Sequence, residues 1–308
     1  MSKYSRKETL VIVNPAAHNV PSDKRLDEAD RWLKAEGWQV EWRRTEGPRQ
    51  ATELAAGAAE RELPLLFVVG GDGTLNEAVN GLAGSETALA VIRAGTVNIW
   101  AKEIGIPRKP IEAVRAAVEG ERRRIDLGRA GERYFLLMAG YGLDGAIGRR
   151  VHAGLKSRFG AVMYAIAAIR ETLRYRSSAI TLSFDGEQQV ADVLMLVAGN
   201  TRNYAGLVEI TGEAVADDGL LDVCVYQGKG TVDIILHALR TLLRRHLRSN
   251  KVLYRKARRL ELAWKEPLPV QLDGDAIEQS PTRVEIAAGA LWVAVPKGVS
   301  SPLFRDRA

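Results

Sequence analysis

A glycine-rich segment at residues 70–74 carries the clearest chemical signal, reading Gly-Gly-Asp-Gly-Thr directly after the apolar run LLFVV. Glycines let backbone N–H groups approach a ligand closely, and the start of a following helix favours bound anions such as phosphates. Asp72 is then placed to reach a metal ion that accompanies the phosphates. Thr74 and Glu77 have the spacing of a capping box, which predicts a helix from Thr74. The segment predicts a phosphate-binding loop without a Walker A lysine, and a plain turn with a structural aspartate is the alternative.

A second glycine pattern follows an apolar run further along the chain. Gly140, Gly142 and Gly145 are spaced as G-x-G-x-x-G. A dinucleotide site of this kind needs an acidic residue about 20 positions later. The next acid after Asp144 is Glu171. The pattern therefore favours tight packing of a strand against a helix over a dinucleotide site.

The composition is that of an ordinary globular protein. The 308 residues include 44 Lys or Arg and 38 Asp or Glu, a formal net charge of +6, and 46% are hydrophobic. This length predicts two domains that each bury a core. The only cysteine is Cys224, which excludes a disulfide framework and a multi-cysteine zinc site and favours a reducing, cytoplasmic setting.

The pattern of predicted strands and helices that would position these residues changes near residue 122. Before it, apolar strand patterns alternate with helical ones, around residues 22–36, 49–62 and 74–83, which predicts a parallel α/β domain. After it, many short strands with Gly, Asp and Pro turns predict a mainly antiparallel β-sheet or sandwich, interrupted by helices around 155–175 and 231–248. The predicted domains are 1–125 and 126–308, and a return of the last residues to the first domain stays open.

Apolar runs are too short to suggest a membrane span or a signal peptide. Leu10 to Val13 is only four residues, and the apolar run at 159–169 ends at Arg170 and Glu171. The mild positive charge is compatible with nucleotide phosphates, nucleic acid or an anionic membrane surface.

Several motifs together resemble one known family. They are GGDGTLNEAVNGL (70–82), GTVNIWAKEIGIP (95–107), VAGNTRNYAG (197–206), ADDGLLDV (216–223) and LDGD (272–275). Their order and spacing resemble the diacylglycerol kinase catalytic-domain family, in particular bacterial-type soluble lipid kinases similar to diacylglycerol and sphingosine kinases. The resemblance implies an N-terminal α/β nucleotide-binding domain, a C-terminal β-sandwich and an active site in the cleft between them.

The resemblance also implies which residues bind ATP. They come from the glycine-rich loop and from positions beyond the carboxyl ends of neighbouring parallel strands, where ligands of open α/β sheets bind. The implied residues are Asn14, Thr45, Gly70, Gly71, Asp72, Gly73, Thr74, Asn76, Glu77 and Thr96. Taken singly, Asn14 and Thr45 are as typical of helix caps or turns.

Carboxylates supply the remaining chemistry that the resemblance implies. Asp72 and Asp126 would hold a catalytic Mg²⁺, and Asp275 lies where the family carries its general base. A structural Mg²⁺ would be held by Asp218 with the carbonyl groups of Val215 and Leu220. At Asp218-Gly219 and at Asp273-Gly274, a plain turn is the alternative.

Three positions depart from the family pattern. The first loop reads NPAAHN at 14–19 where a glycine-rich loop is usual, so its phosphate contact is in question. Ile99 stands where many relatives have aspartate. Asp275 replaces the usual glutamate and is one methylene shorter, so the acceptor hydroxyl would have to come closer.

Residues 240–259 contain nine Lys or Arg and no acid. Arg240, Arg244, Arg248 and Lys251 recur at helical spacing, which predicts a positive stripe on an amphipathic helix. Such a stripe suits an anionic membrane surface, and a solvated helix face is the alternative. The apolar face predicted beside it consists of Ile234, Ile235, Ala238, Leu239, Leu242, Leu243 and Leu247.

Together these observations predict an ATP- and Mg²⁺-dependent kinase that phosphorylates a hydroxyl of diacylglycerol or a related lipid alcohol. We expect it in the cytoplasm, peripherally and reversibly associated with the membrane, without nucleic acid as a partner, and a homodimer stays open. The alternatives are a soluble kinase of the NAD-kinase type, which shares the GGDGT motif, and a non-catalytic protein that binds nucleotide or membrane.

Overall fold

The computed structural model describes residues 4–154, 172 and 175–305. The predicted helix around 155–175 falls outside the described residues apart from Thr172 and Tyr175. The strands are β1 Glu8–Val13, β2 Gln39–Arg44, β3 Leu65–Gly70, β4 Ala88–Arg93, β5 Glu121–Ala130, β6 Arg133–Phe135, β7 Met138–Gly142, β8 Ser178–Phe184, β9 Glu187–Gly199, β10 Asn203–Tyr204, β11 Val208–Glu209, β12 Leu221–Gln227, β13 Val252–Ala257, β14 Arg259–Trp264, β15 Val270–Leu272, β16 Asp275–Ile277 and β17 Arg283–Val295. The helices are α1 Asp23–Ala35, α2 Gln50–Glu60, α3 Asp72–Leu82, α4 Ile99–Glu103, α5 Pro110–Glu119, α6 Leu143–Gly154 and α7 Thr231–Leu242, followed by a 3-10 turn at His246–Arg248.

The chain forms two compact units. The first comprises the chain up to Leu127, Ala216–Asp218 and the chain from Ala287 onward. The second comprises Gly128–Val215 and Gly219–Ile286.

The first unit contains a parallel sheet in the order β2, β1, β3, β4, β17. Every residue of β3 is buried, as is usual when helices cover both faces of a parallel sheet. Trp292 and Val293 bring β17 alongside β4 through Ala88 and Leu89. The strand and helix alternation predicted for the first third of the chain is confirmed.

The second unit is built from antiparallel strands around β9. This 13-residue strand pairs with β7, β8 and β12, and β15 joins β7 and β16. Phe135, Tyr141 and Val223 are among the fully buried side chains of its core. The predicted change from a parallel to a mainly antiparallel sheet is confirmed.

Two strand predictions are wrong in detail. RYFLLMAG, predicted as one strand, is divided into β6 and β7, because the carboxylate of Asp273 accepts hydrogen bonds from the backbone between them. TRVEIA and ALWVAV, predicted as two strands, form the single strand β17. Gly289 allows this continuity because it adopts a positive φ of 59° that a glycine tolerates.

The predicted basic helix stripe is wrong. α7 ends at Leu242, Arg244 adopts a left-handed φ of 53°, and Arg248 belongs to the 3-10 turn. The ring of His246 is buried and bonds through Nε2 to the carbonyl of Ile210 at 3.0 Å, which holds the chain after the helix in a different direction. The four cations therefore do not share one helix face.

The G-x-G-x-x-G pattern serves packing, as predicted. A Cβ on Gly142 would lie 2.6 Å from the Leu194 carbonyl oxygen, and one on Gly145 would lie 2.2 Å from the Pro269 carbonyl. Such distances are shorter than any real Cβ contact, so β7 and α6 can approach their neighbours only with glycine at these positions. Within the ranges that the structure describes, every helix is too short or too polar to cross a membrane.

Helices α2 and α3 pack closely through Gly81. A Cβ on Gly81 would lie 2.3 Å from the Thr52 carbonyl oxygen and 2.8 Å from the Ala55 Cβ. Gly57 lies in α2 of the same pair, and a Cβ there would meet no heavy atom within 4 Å. The two glycines therefore separate the effect of close packing from the intrinsic preference of a helix for alanine.

We expect Gly81→Ala to lower the free energy of unfolding by roughly 1–3 kcal/mol, because overpacking outweighs the helix preference for alanine. Gly57→Ala, the matched control, should raise that free energy by up to about 1 kcal/mol. Urea unfolding measures both. Equal stability of the two variants would contradict the close approach at Gly81.

Candidate functional site

The glycine-rich loop connects β3 directly to α3. Gly71 is the extended residue before the helix, and the helix begins at Asp72, two residues earlier than predicted. The expected capping box is wrong, because no side chain caps this helix and the Thr74 hydroxyl instead accepts a hydrogen bond from Asn14 Nδ2 at 2.8 Å. The first backbone N–H groups of an 11-residue helix remain available for an anion.

Close contacts require glycine on both sides of this loop. A Cβ on Gly70 would lie 2.6 Å from Thr74 Cβ, and one on Gly95 would lie 2.5 Å from Gly71 Cα. Gly73 is exposed, and a Cβ there would meet no heavy atom within 4 Å. The backbone is thus closely packed at Gly70 and Gly71, whereas Gly73 is exposed to solvent.

Asp72 is a largely buried carboxylate. Its Oδ2 accepts a hydrogen bond from the Ile99 backbone N–H at 3.1 Å, while Oδ1 is buried and has no partner in the described part of the chain. Burial raises the pKa of Asp72, opposed by the Ile99 amide. An oxygen of this kind suits a hard cation such as Mg²⁺. The departure at Ile99 therefore leaves a backbone donor, where an aspartate would add a second carboxylate.

Two further predicted ATP contacts lie at the carboxyl ends of strands. Asn14 follows β1, and its backbone N–H donates to the Val69 carbonyl oxygen of β3 at 3.0 Å. Thr45 follows β2 and donates its backbone N–H to the Val13 carbonyl oxygen at 2.9 Å. The structure therefore brings Asn14 to the glycine-rich loop through Thr74, and Thr45 to the end of β1.

The remaining predicted ATP-binding residues lie in the loop after β4 and within α3. Thr96 is exposed in the loop after β4, and Asn76 is buried within α3, where its carbonyl oxygen accepts from Asn80. The carbonyl oxygen of Glu77 accepts from the Thr52 hydroxyl at 2.9 Å, which joins α3 to α2.

The first loop is held by a residue that the sequence analysis missed. Asn19 donates its backbone N–H to the Ala94 carbonyl oxygen at 2.7 Å and its side-chain amide to the Gly95 carbonyl oxygen at 3.1 Å. These bonds hold the NPAAHN loop against the end of β4, a role that no local pattern indicates.

Asp126 is a buried carboxylate on β5 in the first unit. Its Oδ1 accepts a hydrogen bond from the Gly289 backbone N–H at 2.6 Å, and its own N–H donates to the Ala216 carbonyl oxygen at 2.7 Å. Among the residues described, no three His, Cys, Asp or Glu side chains form a cluster that could hold a metal. A cation at Asp72 or Asp126 would therefore need oxygen ligands from phosphates or water as well.

The predicted turn before Asp275 is confirmed. Leu272 pairs with Asp275, and the two residues between them both adopt positive φ, 49° at Asp273 and 93° at Gly274. Asp275 forms an ion pair with Arg133 Nη2 at 2.6 Å, with both side chains about one-third exposed. We name Asp273, Gly274 and Asp275 the DGD turn.

The DGD turn is anchored by Asp273, whose role the sequence did not indicate. Its carboxylate accepts three backbone N–H groups, from Leu136 at 2.7 Å, Leu137 at 2.9 Å and Met138 at 2.8 Å. Arg133, the partner of Asp275, was also missed, because both contacts join residues more than 130 positions apart.

Asp218 lies in a turn next to the positive-φ residue Gly219. The Arg305 side chain donates to the Asp218 carbonyl oxygen at 2.6 Å, and the Arg305 N–H donates to Asp217 Oδ1 at 2.8 Å. A structural Mg²⁺ bound by Asp218 with Val215 and Leu220 stays a prediction.

An apolar cavity of about 360 Å³ lies within the second unit, and no sequence pattern indicated it. Its wall includes Leu194, Tyr204, Ile210, Ile234 and Thr241. These residues come from β9, β10, α7 and the loop after β11, so only the folded chain brings them together. The size and apolar lining suit a hydrocarbon ligand.

The chain is similar to known proteins over nearly its whole length. Residues 8–130 match the diacylglycerol kinase catalytic domain, and residues 138–295 match the YegS C-terminal NAD kinase beta sandwich-like domain. A diacylglycerol kinase of Bacillus subtilis strain 168 is 28% identical, covering 87% of this chain and 90% of the relative. One of Staphylococcus carnosus strain TM300 is 27% identical, covering 96% and 97%.

Solved structures share the fold. A diacylglycerol kinase structure from Bacillus anthracis strain Sterne is 22% identical, with a TM-score of 0.76, and covers 97% of this chain and 100% of its own. The predicted fold class, an α/β domain with a C-terminal β-sandwich, is thereby confirmed. The prediction of a lipid kinase is confirmed at the level of the family. The chain belongs to the diacylglycerol kinase catalytic-domain family.

Proposed function

We propose that this protein transfers the terminal phosphoryl group of ATP to a hydroxyl of diacylglycerol or a related lipid alcohol, with Mg²⁺. The observation that carries the proposal is the glycine-rich loop at the start of α3, where the buried Asp72 Oδ1 has no partner among the described residues. Phosphates suit the free N–H groups of the helix, and a hard cation suits the carboxylate.

Asp72 and Asp126 would hold the catalytic Mg²⁺, which supplies neutralisation of phosphate charge when bound. Asp218, with the carbonyl groups of Val215 and Leu220, would hold a structural Mg²⁺. The backbone at Gly70, Gly71 and Gly73 would bind the phosphates, while Asn14 and Thr45 would lie beside the nucleotide at the ends of their strands.

Asp275 would take the proton of the acceptor hydroxyl. Its position at the start of β16, in an ion pair with the guanidinium of Arg133, orients the carboxylate. The side chain is partly exposed, so an acceptor can reach it from solution or from a lipid surface.

The apolar cavity supports a lipid over a soluble acceptor. Each methylene that enters such a cavity from water contributes about 0.8 kcal/mol to binding. A nucleotide or sugar acceptor would gain nothing from these walls, so the cavity argues against an acceptor of the NAD-kinase type. We propose that it takes acyl carbons of the acceptor.

A surface next to the cavity favours reversible membrane association. The surface, which we name the α7 apolar surface, consists of exposed side chains. They are Val232, Ile235, Leu236, Leu239, Leu242, Leu243 and Leu247. Arg245 and Arg248 are exposed close by in the sequence, whereas Lys251 forms an ion pair with Asp233 at 2.7 Å. Apolar side chains would therefore supply most of the binding, and the cations a smaller, salt-sensitive part.

The transfer reaction is tested with radiolabelled ATP, Mg²⁺ and a panel of dioctanoylglycerol, other lipid alcohols, NAD and a sugar. We expect label on a lipid. Asp275→Asn should lower kcat by roughly 10²–10⁴-fold without weakening ATP binding, because the general base is lost. Asp275→Glu should remain active, since the carboxylate stays. Near-normal turnover of the Asn variant, or label on NAD or the sugar alone, would contradict the proposal.

Metal binding is tested by thermal melts with Mg²⁺ or EDTA. Without metal, Asp72→Asn should raise the midpoint by about 2–4 °C, the shift that about 1 kcal/mol produces in a domain of roughly 150–250 residues, because a buried charge is removed. The variant should also lose the stabilisation by Mg²⁺ with an ATP analogue. Asp27→Asn, an exposed change of equal charge in α1, should behave as the wild type. An identical Mg²⁺ response of both variants would argue against a metal at Asp72.

Membrane binding is tested by co-sedimentation with phosphatidylglycerol and phosphatidylcholine vesicles over a salt series. Leu239→Asp with Leu243→Asp should abolish binding to both lipids, since each buried Leu contributes about 1.5–3 kcal/mol. Arg245→Gln with Arg248→Gln should remove only the part that depends on lipid charge and salt, about 1 kcal/mol for each cation. Unchanged binding of the Leu variant would exclude the α7 apolar surface as the docking site.

A further inference from the structure

A buried carboxylate in the second unit lies between two hydrogen-bond donors. Asp144, near the start of α6, accepts the Tyr204 hydroxyl at Oδ1 and the Gln271 side-chain amide at Oδ2, the latter at 2.7 Å. Burial raises the pKa of Asp144, while the Gln271 and Tyr204 donors oppose that rise. The three side chains form a short network in an environment of low dielectric constant, where hydrogen bonds are strong.

Gln271 extends this network to the DGD turn. Its Oε1 accepts the Gly274 backbone N–H at 2.5 Å, while its Nε2 donates to Asp144. The Gly274 N–H fixes the orientation of the amide, because a backbone N–H only donates and so requires Oε1, which leaves Nε2 to donate to Asp144. Gln271 therefore joins Asp144 to the residue immediately before Asp275.

The network has little room to rearrange around Gln271. A Cβ on Gly140 would lie 1.5 Å from Asp144 Oδ2 and 2.8 Å from Gln271 Nε2, so the β7 backbone presses directly on the pair. Gln271 is itself only 4% exposed. A change at one end of such a packed chain of hydrogen bonds is transmitted to the other end.

One end of the network lies at the apolar cavity. Tyr204 lines the cavity and donates to Asp144, and Leu143, the neighbour of Asp144, lines the cavity as well. The other end is the Gly274 N–H, next to Asp275. A ligand in the cavity therefore contacts the first side chain of a network that ends at the DGD turn.

We propose that Gln271 is a positioning residue for Asp275, and that an acceptor in the apolar cavity orders the DGD turn through Tyr204, Asp144 and Gln271. This inference rests on the proposed function, since it assigns Asp275 to the acceptor hydroxyl. Asp273 anchors one side of the turn through three backbone N–H groups, and Gln271 anchors the other side. The orientation of Asp275 then depends on whether the cavity is filled, which favours transfer to lipid over transfer to water.

The test uses the full chain with two single variants, their combination and a control. Gln271→Met keeps the side-chain length but removes both hydrogen bonds, and Tyr204→Phe removes only the hydroxyl at the cavity wall. Gln188→Met makes the same exchange at an exposed position of β9. Thermal midpoints identify any variant that does not fold. If Gln271→Met does not fold, Tyr204→Phe alone decides the outcome.

Hydrogen exchange of the peptide that contains residues 273–275 is measured with and without dioctanoylglycerol. We expect the lipid to slow this exchange in the wild type and in Gln188→Met, and to have no such effect in Tyr204→Phe or Gln271→Met. Lipid-induced protection that persists in both variants would overturn the proposal. This arm needs no phosphoryl transfer, so it decides the coupling even if the proposed kinase activity fails.

Kinetics supply the second readout. Gln271→Met should lower kcat by about 10–10²-fold, the effect of a misplaced catalytic group, with the acceptor KM nearly unchanged because Gln271 does not line the cavity. The double variant should be no slower than Gln271→Met, since the two side chains act in series. Additive losses, or a rise in KM with kcat unchanged, would show a structural role instead.

Discussion

The backbone at Gly95 lies so close to Gly71 that a Cβ on Gly95 would stand 2.5 Å from the Gly71 Cα. This contact holds the carboxyl ends of β3 and β4 together at the point where α3 begins. Asn98 closes the loop by bonding both the N–H and the carbonyl oxygen of Gly95, and its left-handed φ of 53° turns the chain into α4. The Ile99 N–H thereby reaches Asp72, so the candidate metal ligand depends on a steric contact between two glycines.

Buried or partly buried carboxylates lie in both units, and their hydrogen-bonding capacity is satisfied to different degrees. Asp273 accepts three backbone N–H groups and is a structural anchor. Asp144 accepts two side-chain donors, which suits a network that can respond to a neighbour. Asp72 keeps one oxygen without a partner in the described chain, which costs stability unless a cation binds. The hydrogen bonds that each carboxylate accepts thus distinguish the structural anchor Asp273 from the proposed coupling residue Asp144 and the proposed metal ligand Asp72.

Local signals predicted most of the first unit. Glycine spacing, an apolar run and alternating strand and helix patterns were enough to predict β3, α3 and the glycine-rich turn between them, because each is specified by residues close together in the sequence. The Asp273–Gly274 pair likewise predicted its own turn. The start of α3 was misplaced because the bond from Asn14 to Thr74, across 60 residues, competes with the local cap. Arg133, Asn19 and Gln271 could not be found, since their partners are distant in sequence.

The helix α7 illustrates why amphipathic spacing does not determine which face is buried. The sequence predicts an apolar face without indicating whether it is buried, and in the structure Leu239, Leu242 and Leu243 are more than half exposed, while His237 is buried. His237 Nε2 bonds to the Gln227 carbonyl oxygen at 2.8 Å, so the ring donates there, and burial lowers its pKa and favours the neutral form. The His237 ring thus lines the apolar cavity, while the leucines face outward. A periodicity argument records only that two faces differ. The surroundings decide which face is buried, and here they leave an apolar surface beside an apolar cavity.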